Sequence, residues 1–147
     1  MSDSWGRPYG VALAGLLALF LFRVLAQMAQ AIAPSDALPP FEAWQSGTLP
    51  YPVLVVAQVA IIALFTWLIT LFWRGGRLGG PRLRTGLWAF GGLYFAGSLL
   101  RFIGGFTFAR DNNFIGAHLP GFFHIVLASA ALLIARYAST AAERATT

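Results

Sequence analysis

WAFGGLYFAGSLLRFIGG, residues 88–105, is apolar enough to lie in a bilayer, rich in glycine, and still carries Arg101. Tyr94, Ser98, Arg101 and Gly105 fall at offsets of zero, four, seven and eleven, which is one stripe along a helix. Hydrocarbon cannot satisfy polar side chains, so such a stripe should point at other helices and not at lipid. The expected fold follows from that: an all-α membrane protein, four transmembrane helices in an antiparallel bundle, with this segment at its centre.

The composition agrees. The 147 residues are 58% hydrophobic and 10% charged, against roughly 45–50% and about 25% in ordinary soluble domains. Three more stretches match the first in length and apolar character. Segment one covers Tyr9–Ala33, beginning GVALAGLLALFLF and then admitting Arg23, Gln27 and Gln30. Segment two is Tyr51–Trp73, with a proline in the first turn, where its missing N–H costs nothing. Segment three extends over Thr85–Phe106 and segment four over Pro120–Tyr137. Each approaches the ~20 residues needed to cross a hydrocarbon core ~30 Å thick. A single four-span domain therefore accounts for residues 1–147. A cleaved signal peptide competes for segment one, because Ala31-Ile32-Ala33 resembles a peptidase site. Pro34 directly behind that site and Arg23 after the apolar run argue against cleavage.

Polar stretches separate the spans: PSDALPPFEAWQSGTLP at 34–50, RGGRLGGPRLR at 74–84 and TFARDNNFIGAHL at 107–119. Four crossings put both termini and the arginine connector on one side. Arg7, Arg74, Arg77, Arg82, Arg84, Arg136 and Arg144 lie there, and Arg110 alone lies opposite. The positive-inside rule then predicts both termini in the cytoplasm, N-in and C-in, as in a bacterial inner membrane. Trp5, Trp44, Trp73 and Trp88 fall near the interfaces and read as belt residues. The two hairpins echo one another faintly. Arg23 is followed by a loop and Gly47-Thr48-Leu49-Pro50, Arg101 by a loop and Gly116-Ala117-His118-Leu119-Pro120, which suggests a parallel repeat.

Aligning the spans places Arg23, Gln27, Gln58, Ser98, Arg101 and His124 in one layer beneath the outer surface. Tyr94, His118 and Glu42 join them as candidate binding residues. Arg101 sits about 7 Å from the outer end of its span, within reach of snorkelling. Arg23 is about 14 Å deep and should need an acceptor inside the protein. The acids available on that side are Asp36, Glu42 and Asp111. Two readings compete. Either the arginines hold the loops down through those carboxylates, or two guanidiniums form a pocket for a phosphate or carboxylate group. His124 shares a face with Ala128, Ala131 and Ala135, which suits close helix packing. Gln58, Thr66 and Thr70 form a partly polar line that suits helix–helix hydrogen bonds.

Several classes drop out. With no cysteine, disulfides, thiolate metal sites and iron–sulfur clusters are excluded. His118 and His124 lie six residues apart on one segment and cannot supply the opposed ligands of a bis-histidine haem. A metal held by His118, His124, Glu42 and Asp111 matches no ligand spacing. All ten basic residues are arginines spread over segment ends, with no nucleic-acid patch. No Asp or Glu lies within a span, unlike small four-helix multidrug transporters, which exchange protons on an embedded carboxylate. Three functions stay open. One is an accessory protein binding membrane lipid, with an anionic-lipid or quinone-like head group in the layer. Another is a subunit or assembly factor working with other membrane protein subunits or a second copy. The third is a membrane enzyme using His124 or His118 as acid–base.

Overall fold

The structure, a computed structural model, describes residues 4–45, 47, 49–107 and 118–146. Every regular element among them is helical, and four helices are long and apolar enough to cross a membrane: α1 (Arg7–Ile32), α2 (Tyr51–Trp73), α3 (Pro81–Phe106) and α4 (His118–Glu143). At 23 to 26 residues each, they are about 35 Å long or more. By length and composition the chain is an integral membrane protein. Large apolar side chains on its outer surface, such as Phe22, Val56, Trp67, Leu93 and Leu100, stand exposed as lipid-facing residues do.

Local chemistry sets the helix ends. α1, α2 and α3 each carry proline at the first or second position, where its fixed φ suits the opening turn. α1 stops before Pro34, which cannot continue it. After α2 the backbone enters the left-handed region at Gly75 (φ 64°), and the Gly75 and Gly76 N–H groups close on the Phe72 and Leu71 carbonyls. α3 begins at Pro81, four residues before the expected Thr85, so Arg82 and Arg84 lie in its first turn and not in the connector. α4 continues past Tyr137 to Glu143 because its Ala-rich end favours helix.

The helices pack in the order α2–α1–α4–α3. α4 is the most buried of the four and α3 the least, which corrects the expectation that the third segment is central. The reason is size. The α3 residues that become buried are Gly91, Ser98, Gly104 and Gly105, so α3 lays a flat face on α4 and covers little else. A Cβ built at Gly91 would stand 3.0–3.3 Å from Leu132, and Ala128, Ala131 and Ala135 are buried on α4.

The core has two parts. Toward the termini, Leu13, Leu17, Phe65, Leu68, Phe72, Ile134 and Tyr137 form one cluster. Tyr137 stacks between Phe72 at 3.7 Å and Trp5 at 4.9 Å, and its hydroxyl donates to the Gly76 carbonyl at 2.6 Å. Toward the 33–50 loop, Ala26, Trp44, Phe123 and Val126 form a smaller cluster. Trp44 is buried there and is not a belt residue. Its indole N–H donates to the Pro39 carbonyl at 2.9 Å, which tethers the loop over the helix ends. Thr66 and Thr70 donate to carbonyls of their own helix, Ile62 and Trp67, and make no bond across helices.

Candidate functional site

Between the two core clusters and the loop lies a cavity of about 530 Å³, within the usual range for small-molecule sites. All four helices contribute to it. Phe20 and Arg23 come from α1, Leu54, Ala57, Gln58 and Ile61 from α2, Tyr94 and Arg101 from α3, and Phe123, His124 and Leu127 from α4. Pro120 of α4 and Gln45, Gly47 and Leu49 of the loop complete the lining. Its walls are mainly apolar, with a few polar groups converging on one space.

Arg23 is buried, and its guanidinium donates to the Trp44 carbonyl at 2.7 Å. That carbonyl ends a short 3₁₀ turn, Phe41–Trp44, where a helix end leaves C=O groups without backbone donors. The same guanidinium lies 5.8 Å from the centre of the Phe123 ring. Asp36 and Glu42 are exposed on the loop. Among the described residues neither pairs with Arg23, contrary to the expected loop carboxylates; a backbone carbonyl meets the need first. Asp111 lies outside the described residues.

Tyr94 and His124 share a hydrogen bond of 2.6 Å between Oη and Nδ1, with the rings edge to face. Gln58 Nε2 donates to Gln27 Oε1 at 3.2 Å, and the Gln27 amide nitrogen, fully buried, has no partner among the described residues. Amide orientations are interchangeable at this geometry, so this pair has spare hydrogen-bonding capacity beside the cavity.

The expected binding residues thus divide. Arg23, Gln58, Tyr94, Arg101 and His124 line one cavity, and Gln27 supports Gln58 from behind. Ser98 is buried but does not line it. His118 stacks on Phe106 at 4.1 Å and is not part of the lining. Glu42 points outward from the loop. Among the described residues no three His, Asp or Glu side chains are grouped to hold a metal ion.

The sequence did not mark the Trp44 carbonyl, Gln45 or the apolar part of the lining, Phe123 among it. A backbone acceptor leaves no mark in a sequence, and Phe123 looks like any other apolar residue. Gln30, noted only as a polar residue in segment one, pins the loop. Its amide donates to the Ser35, Leu38 and Pro39 carbonyls at 2.8–3.1 Å and accepts from the Ser35 N–H at 2.7 Å.

No protein-family model, curated protein or solved structure matches the chain. The fold and the cavity define its class by themselves: an integral membrane protein of four long helices with a mainly apolar cavity, bearing a few polar groups, near one end.

Proposed function

We propose that the protein is a small accessory protein of a bacterial-type inner membrane. Its cavity holds the anionic head, phosphate or carboxylate, of a membrane lipid. In this reading the helices run alternately up and down as an antiparallel bundle. The termini and the 74–80 connector face the cytoplasm, and the cavity opens near the outer leaflet. Neighbouring contacts support the alternation: Tyr9 meets Thr140 and Trp88 meets Ser139 at one end, while Gln27 meets Gln58 at the other. The arginine distribution supports the orientation.

One observation carries the reading. Arg23 brings a buried cation to the wall of an apolar cavity, and no carboxylate lines that cavity among the described residues. A charge held in such surroundings favours an anionic partner, and guanidinium binds phosphate and carboxylate through paired hydrogen bonds. Arg101 adds a second guanidinium to the lining. Gln58, Tyr94 and His124 supply hydrogen-bonding groups that would orient the head.

The test is lipid analysis of the purified protein by native mass spectrometry. Phosphatidylglycerol should be retained in preference to phosphatidylethanolamine. Arg23→Gln should weaken that retention by about tenfold or more, the scale of a charge-assisted hydrogen bond, while Arg23→Lys, which keeps the charge but not the paired geometry, should lose less. Equal retention of both lipids by the wild-type protein would count against an anionic head. A neutral quinone-like head is the second reading, favoured by the short Tyr94–His124 contact. It predicts that Tyr94→Phe matters more than Arg23→Gln.

A further inference from the structure

We infer that the ligand enters sideways from the membrane, through the gap between α2 and α3, and leaves its apolar chain in that gap. This rests on the head-group reading above. The packing order makes α2 and α3 the two flanks of the molecule, and they barely approach one another. Yet both face the cavity, α2 with Leu54, Ala57 and Ile61 and α3 with Tyr94 and Arg101. Ala57, whose neighbour Val56 lies outside the lining and is exposed on the outer surface, belongs to the lining. It lies six residues into α2, about 9 Å along the helix, so the lining borders the lipid-facing side of α2 well below the loop.

Size points the same way. A cavity of about 530 Å³ lies in the range that takes one small ligand. That suffices for a head group and its first few carbons. A lipid with two long acyl chains exceeds that, so its chains must extend outside, and the apolar flank of α2 offers them a path.

The opposite entrance is tied down. The loop is fastened by Arg23 to the Trp44 carbonyl, by the Trp44 indole to the Pro39 carbonyl, and by the bonds of Gln30. A phosphate carried by lipid and a phosphate free in water share one head-group chemistry, but only the first needs the lateral opening.

Full-length protein in nanodiscs of phosphatidylcholine doped with phosphatidylglycerol separates these sources. Ala57→Trp places a large ring in the opening and should lose retention of phosphatidylglycerol. Ala57→Leu should lose part of it. Val59→Trp, at an exposed neighbour outside the lining, should lose none. Glycerol 3-phosphate added from solution should fail to displace the lipid. Unchanged retention in a folded Ala57→Trp protein that remains sensitive to Arg23→Gln would overturn the lateral route and leave the head-group site standing. Displacement by glycerol 3-phosphate would overturn it equally. Absence of any Arg23→Gln effect would instead sink the head-group reading from which the route is drawn.

Discussion

Gln30 shows how much one side chain can organise. It is buried at the end of α1 and satisfies both ends of its amide on the backbone of residues 35–39. Each such bond contributes about 0.5–1.5 kcal/mol net, and buried donors left unmatched cost more. Gln30→Ala should therefore loosen the 33–40 stretch by about 2 kcal/mol, seen as faster amide exchange there while helix α4 exchanges as before. Arg23 works on the same loop from beneath, through the Trp44 carbonyl. It was legible as a buried arginine needing an acceptor, but the acceptor was not. Carboxylates are visible in a sequence; a carbonyl exposed at the end of a four-residue turn is not. Tyr94 and His124 were each visible as polar residues on their helices, but their pairing depends on how α3 lies against α4.

At the scale of elements, the α3–α4 contact depends on the absence of side chains. Gly91 has Leu132 close against it, whereas Gly92 has open space where a Cβ would go. Gly91→Leu should push α3 away and cost about 1–3 kcal/mol, as overpacking does. Gly92→Leu, one residue on and facing outward, should change little. Thermal unfolding of the pair in detergent checks this, and equal melting temperatures would show that the helices do not pack at Gly91. Because Tyr94 and Arg101 ride on α3, the Gly91 variant should also disturb the cavity. The sequence showed a glycine-rich helix made for close approach. It could not show that close approach on one side leaves α3 at the edge of the molecule.

For the whole molecule, the proposed topology predicts a labelling pattern, and a chain without cysteine is suited to measuring it. Cysteines introduced at Ala37 and Thr146, both exposed, should react differently with a membrane-impermeant maleimide added to intact cells. Ala37→Cys should label at once, and Thr146→Cys only after permeabilisation. The reverse pattern would invert the molecule and place the cavity toward the cytoplasm.

By itself the sequence determined four membrane-length helices, their approximate ends and a set of polar residues at shared depth. Apolar length, proline position and helical spacing are properties of nearby residues and need no fold to be read. Only the tertiary structure decided the order of the helices, the burial of Trp44, the carbonyl that receives Arg23, and which polar groups share a cavity. Those depend on contacts between residues far apart in the chain and on backbone groups that every residue carries alike, so nothing in the string of side chains distinguishes them.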